Sequence, residues 1–191
     1  DDPQARPAHW TCRPRGAQNR GMPLATDDNA AEPPGAAIRV RVDDLSSPEV
    51  QALVAEHLAG MHSHSPPGQV KALAVGALRQ PGITFWTAWQ GGELCGCGAL
   101  KALDAVSGEL KSMRTRARFL RRGVAQALLD EITRVATSRG YRSLLLETGT
   151  GEAFDAAHAL YLRNGFAWCG PFGDYQATDF NVFMGRSLPP G

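Results

Sequence analysis

The chain has 191 residues, 43% of them hydrophobic, and its 20 Lys and Arg nearly balance its 19 Asp and Glu, for a formal net charge of +1. That size and composition suit one globular domain with a sizeable core, and the near-neutral balance gives no reason to expect nucleic acid or an anionic membrane as partner. No apolar run approaches the roughly 18 residues of a membrane span, and no basic start leads into the apolar stretch of a secretory signal, so the chain reads as a cytoplasmic protein.

Residues 1–36 are rich in Pro, Gly, Asp and Arg and carry neither a helical nor a strand period, so they read as a disordered tail. The chain opens on Asp, which makes Met22 a candidate biological start, and Trp10 with its neighbouring Arg residues is the tail's candidate contact for a partner. A single domain over 37–191 follows. Ile38, Val40 and Val42 alternate with Arg39 and Arg41, as in a strand with one buried face. Ser46-Ser47-Pro48-Glu49 predicts a helix start with a cap, an early Pro and a capping-box Glu. Val50, Leu53, Val54, Leu58 and Met61 line one face of that helix. A loop from His62 through His64 to Gly68 separates it from a second predicted helix carrying Val70, Leu73, Ala74, Ala77 and Leu78, which Pro81-Gly82 ends. Strands are predicted over 83–90 and 93–103, joined by a Gly91-Gly92 hairpin turn. A fourth strand covers 109–115, and a helix burying Val124, Leu128, Ile132 and Val135 stops at Gly140. An apolar central strand over 143–148, a helix over 152–164 and strands near 166–169 and 181–186 complete the chain. The four cysteines, Cys12, Cys95, Cys97 and Cys169, form no disulfide framework in a chain this long. Cys95 and Cys97 are two apart in a strand and should share one face. With no further ligand to complete a metal site, they read as buried structural thiols.

Between the fourth strand and its following helix lies Leu120-Arg121-Arg122-Gly123-Val124-Ala125. A helix start leaves about four backbone amides without intrahelical partners and carries the positive end of the helix dipole, which suits a phosphate. Gly123 lets the backbone approach a ligand closely, and Arg118, Arg121 and Arg122 add charge suited to several phosphates.

This turn resembles the Gln/Arg-x-x-Gly-x-Gly/Ala signature with which the GNAT superfamily of N-acetyltransferases binds the pyrophosphate of acetyl-coenzyme A. Gly123 and Ala125 match, and Leu120 stands where the family usually has Gln or Arg. Downstream, Ala157, Leu160, Tyr161, Gly165 and Phe166 match the family's Ala-x-x-Leu-Tyr-x-x-x-Gly-Phe pattern, while Phe154 stands where many members carry Asn. The stretches 83–86, 111–115, 146–149 and 172–175 also resemble a bacterial, YsnE-like subgroup. The resemblance covers roughly 37–188 and implies an α/β GNAT fold. Such a fold has a mostly antiparallel sheet of about seven strands, splayed between the fourth and fifth and flanked by about four helices.

It also implies roles. Tyr161 holds the position of the family's general acid, beside the thioester sulfur. Glu109 holds that of the catalytic glutamate in the family's histone-acetylating members, with Glu147 on the next strand as its rival. If Glu109 points with Lys111 and Met113 to one face and is partly buried, its pKa should rise, which suits a base. Backbone groups of Met113, Arg114 and Thr115 would hold the pantetheine arm and polarise the carbonyl. Arg121, Arg122, Gly123, Val124 and Ala125 would hold the pyrophosphate. Candidates on the acceptor side are Trp86, Glu147, Phe172, Asp174 and Tyr175, with His62 and His64 from the preceding loop. The chain therefore reads as a metal-free, acetyl-coenzyme A-dependent transferase acting on a primary amine of a small molecule; transfer is direct, since no Cys or Ser sits in a nucleophile-plus-base arrangement. Two alternatives stand beside it: a protein N-terminal or lysine acetyltransferase, and a non-catalytic acyl-coenzyme A sensor. A homodimer is compatible with the chain.

Overall fold

A computed structural model describes residues 37–190; the predicted tail over 1–36, with Trp10, Cys12 and Met22, lies outside the described residues. Seven strands form one sheet in the order β1-β2-β3-β4-β5-β7-β6. They are β1 (Arg39–Val42), β2 (Ile83–Gln90), β3 (Glu93–Ala102), β4 (Ser107–Thr115), β5 (Ser143–Gly149), β6 (Ala167–Cys169) and β7 (Asn181–Ser187). The helices are α1 (Pro48–His64), α2 (Val75–Leu78), α3 (Val124–Ser138) and α4 (Glu152–Arg163). The β2–β3 hairpin turns on Gly91 and Gly92, at φ 59° and 78°, the left-handed pair such a two-residue turn requires. Every neighbouring pair of strands is antiparallel except β4 and β5.

Alternation along the strands sorts apolar side chains between two faces. On one face, Val50, Leu53 and Val54 of α1 and Leu78 of α2 pack on Phe85, Leu94, Cys97 and Ala99. On the other, Leu128, Leu129 and Ile132 of α3 pack with Trp86, Leu100, Leu110, Leu144 and Met184. Each fully buried Leu or Ile there contributes roughly 1.5–3 kcal/mol of hydrophobic stabilisation. Gly123, at φ 87°, caps the start of α3, and Gly140, at φ 78°, lies just past its end.

Five expectations need correction. Ser47 is the N-cap of α1 with Pro48 in the first turn, but its side chain makes no cap bond. That start leaves Glu49 one position short of a capping box, and its carboxylate pairs with Arg116 instead, at 3.0 Å. The helix runs on through His62 and His64. The second helix shrinks to Val75–Leu78, and the chain before it, carrying Val70 and Leu73, is extended. Pro66, Pro67 and Gly68 upstream leave too few residues to nucleate a longer helix. Ile38, just before β1, and Val40 on it pack on the core as expected, whereas Val42, at the sheet edge, is 64% exposed. Finally, Cys95 and Cys97 lie on opposite faces. The β2–β3 register slips at Ala88/Trp89, so Cys95 is the extra residue of a bulge and turns over.

Candidate active site

The parallel contact between β4 and β5 is short. Ser107, Gly108 and Glu109 pair with Ser143, Leu144 and Leu145, and there the ladder stops. Beyond it β4 stays on β3 and β5 stays on β7, so the two strands open like a V. A second bulge shapes the β4 wall. Lys111 faces Ala99 and Arg114 faces Cys97, with the extra residue accommodated at Ser112, whose φ is 52°. The bulge reverses the alternation that would have put Met113 beside Glu109 and Lys111. Met113 instead packs toward α3: its sulfur fills the space over Gly98, where a Cβ would sit 2.5 Å away.

A cavity of about 350 Å³ occupies the V, walled by residues 110–114 of β4, Leu146–Thr148 of β5, and faces of α1 and α4. Glu147 from β5 and Tyr161 from α4 both line it. Burial is the largest influence on Glu147 and raises its pKa, and Glu109 adds to the rise, while Lys111 and Lys71 and a hydrogen bond from Asn181 work the other way. Tyr161 is 6% exposed, and burial pushes its phenol well above the ordinary range. His57, on α1, also lines the cavity; burial and then the Arg114 charge bring it down to about 4, so it is neutral near pH 7. His64 lines the wall with Nδ1 2.7 Å from the Gly60 carbonyl, whereas His62 is exposed outside it.

Glu109 is placed differently. It is 0% exposed and does not line the cavity. Its Oε1 accepts from Lys111 Nζ at 3.0 Å and from the Tyr175 hydroxyl at 2.5 Å, and Lys111 Nζ also donates to that hydroxyl at 2.6 Å. Tyr175 comes from the β6–β7 connection, held by edge contacts with Phe172 and a tilted contact with Phe183. Burial first, and then its bond to Glu109, raises the Tyr175 phenol. Lys111 and Tyr175 thus hold Oε1, while Oε2 is buried with no hydrogen-bond partner among the described residues. Among the other acceptor-side candidates, Asp174 is exposed beside Tyr175 in an adjoining hollow. Trp86 belongs to the core against α3, 1% exposed, and faces away from the cavity.

At the far end of β4, the chain passes through a 3-10 turn (Ala117–Phe119) into the arginine-glycine turn. Arg121 adopts φ 60° and Gly123 φ 87°. The Ala127 amide donates to the Gly123 carbonyl at 2.9 Å as α3 begins, so the amides of Val124, Ala125 and Gln126 have no acceptor within the helix. Arg121 and Arg122 are exposed, with Arg122 5.5 Å over the Phe119 ring, and Arg118 is drawn to Glu93 at 3.2 Å. Free amides beside exposed guanidinium groups, with the unpaired β4 edge leading from them into the cavity, fit a long polyphosphate thioester. Val124 is 1% exposed, so only its backbone is available to such a ligand.

Periodicity could not have found Ser112 or Lys71, since a bulge residue and a lone lysine in extended chain carry no pattern. Ser112 Oγ is buried in the cavity wall without a hydrogen-bond partner among the described residues. The described residues contain no group of three or more His, Cys, Asp or Glu able to hold a metal ion, and no helix long and apolar enough to cross a membrane.

Residues 48–166 match the Acetyltransferase (GNAT) family, and the chain belongs to that family. It is an N-acetyltransferase. It is 51% identical over 149 residues to the uncharacterized N-acetyltransferase YedL of Escherichia coli K12, a match covering 78% of this chain and 94% of that one. To the uncharacterized N-acetyltransferase YsnE of Bacillus subtilis 168 it is 49% identical over 151 residues, covering 79% and 100%. The fold is also that of an aminoglycoside 6'-N-acetyltransferase complexed with coenzyme A, at TM-score 0.63 and 14% identity over 80% of this chain and 98% of that one.

Proposed function

We propose that this protein acetylates the primary amine of a small molecule by direct transfer, with Glu147 as base and Tyr161 as acid. The observation that carries this reading is that Glu147 and Tyr161 face one cavity in the V between β4 and β5, while Glu109 is covered by Lys111 and Tyr175. Acetyl-coenzyme A brings the acetyl group as an activated thioester, so the protein positions and polarises. The backbone amides of Val124 and Ala125, with Arg121, Arg122 and Gly123, hold the pyrophosphate. The unpaired β4 edge over Met113–Thr115 holds the arm and offers amides to the carbonyl oxygen as it gains charge.

A bound ammonium must lose a proton before its nitrogen can attack. Glu147, with its pKa raised by burial, is a stronger base than an exposed carboxylate. As the new C–N bond forms and the C–S bond breaks, Tyr161 gives its phenolic proton to the departing sulfur. It regains one from the second proton that the nitrogen sheds on becoming an amide, while the proton held by Glu147 passes to solvent. Burial keeps that phenol protonated across the working range. Direct transfer is favoured because no activated nucleophile among the described residues faces the cavity. The Ser112 hydroxyl has no partner to take its proton, and Cys97 is buried with its thiol pushed up to about 12.

Mixing the protein with acetyl-coenzyme A and a panel of amines, amino acids and peptides tests this directly. Release of free coenzyme A should match formation of an N-acetylated small molecule in the product spectrum. Acetylation confined to peptides would contradict the small-molecule reading, and no product with any amine would contradict the reaction.

A further inference from the structure

We infer that the acceptor is a zwitterion, an amine with a carboxylate a few bonds away, whose ammonium meets Glu147 and whose carboxylate meets Lys71. This rests on the acetyl-transfer reading above and names its substrate class. The Lys, Arg, Asp and Glu side chains on the cavity wall are Lys71, Lys111, Arg114 and Glu147. Two of the cations are already matched. Lys111 bonds Glu109 at 3.0 Å, and Arg114 bonds Glu56 at 3.0 Å. The Lys71 ammonium is exposed and has neither an ion pair nor a hydrogen bond among the described residues. It stands where the cavity meets the adjoining hollow formed with Asp174, Gln176 and Asn181, so it borders both. Its charge reaches Glu147, opposing the rise in that group's pKa.

The cavity therefore offers one anion and one cation without an ion-pair partner among the described residues. An acceptor with two ammonium groups would bring its second positive charge to Lys71, and a plain amine would leave Lys71 without a partner. An amino carboxylate satisfies both ends, and the two contacts together fix which way the amine points. A charge-assisted bond to a carboxylate in such a site should favour the amino acid by about ten- to a hundredfold.

The test compares kcat/KM for each of the twenty amino acids with that for its amide and its decarboxylated amine, using wild type, Lys71→Met and Lys71→Arg. Coenzyme A affinity is measured on all three proteins by calorimetry. Wild type should prefer at least one free amino acid over both neutralised forms by that factor, chiefly through KM. Lys71→Met should bring the ratio close to one, and Lys71→Arg should keep most of it. Equal or faster acetylation of the decarboxylated amines by wild type overturns the inference and leaves the acetyl-transfer reading standing. A preference that survives in Lys71→Met overturns the assignment to Lys71. Weaker coenzyme A binding with an unchanged ratio also overturns it, and gives Lys71 to the donor instead. If acetyl-coenzyme A binds but no amine of any charge is acetylated, both readings fall.

Discussion

Glu109 and Glu147 sit on adjacent strands, yet the fold gives them opposite surroundings. Glu109 lies where β4 and β5 are still paired, and Lys111 and Tyr175 cover it. Glu147 lies two residues past the end of that pairing, where the strands have parted and the cavity begins. One carboxylate pins the β6–β7 connection to the sheet, and the other faces the space where chemistry can occur. On the proposed mechanism, the end of the parallel ladder, more than the strand a carboxylate occupies, separates the two.

Four substitutions probe that division, the largest effect first. Glu147→Gln keeps shape and removes the base, so kcat should fall by the roughly 10²–10⁴-fold typical of an acid–base group. A loss under tenfold in a steady-state assay would place the base elsewhere. Glu109→Gln should act on stability. It leaves the buried Lys111 ammonium without its counter-charge, at a cost of roughly 3–5 kcal/mol when such a pair is broken. Thermal unfolding should show a marked drop in Tm, with a kcat defect far smaller than that of Glu147→Gln.

His57 belongs to the open end, and its effect appears through pH. Its pKa falls from 6.5 to about 4 on folding, so the unfolded chain takes up the proton first as pH drops. The stability tied to keeping it neutral is fully present above about 6.5 and is lost as pH falls toward 4, by up to roughly 3 kcal/mol. His57→Leu should flatten the fall in Tm across that window, and an unchanged slope would contradict the buried neutral histidine. The smallest effect belongs to Tyr175→Phe, which keeps the ring packing against Phe172 and Phe183 but deletes the hydroxyl between Lys111 and Glu109. It should cost about 1–2 kcal/mol in denaturant unfolding. No measurable change would mean that the hydroxyl does not anchor the connection.

Much of this fold was legible in the chain because its signals are local. The Gly91-Gly92 turn, the apolar face of α3 and the glycine after it each follow from a few adjacent residues. Where reading failed, a distant register decided the outcome. The bulge at Cys95 separates two thiols that alternation had paired, and the bulge at Ser112 sends Met113 to the other face. Both depend on how neighbouring strands align, which no single strand encodes. The two carboxylates were found as rivals from position in the chain. What separates them is the phenol of Tyr175, brought to Glu109 from 66 positions away. Trp86 suggested an acceptor contact by its residue type, but strand parity places it under α3.

The carboxylate at the open end, Glu147, is the proposed base. The most direct test of that role is the pH dependence of kcat at saturating acceptor for wild type, Glu147→Gln and Glu109→Gln. Protonating Glu147 removes the base, so wild-type kcat should fall as pH drops through that group's pKa. Because burial raises it, the limb should lie above the ordinary glutamate value of about 4.3. Glu109→Gln should keep this acidic limb, and Glu147→Gln should lose it while running far slower. A limb that survives in Glu147→Gln and disappears in Glu109→Gln would contradict the account.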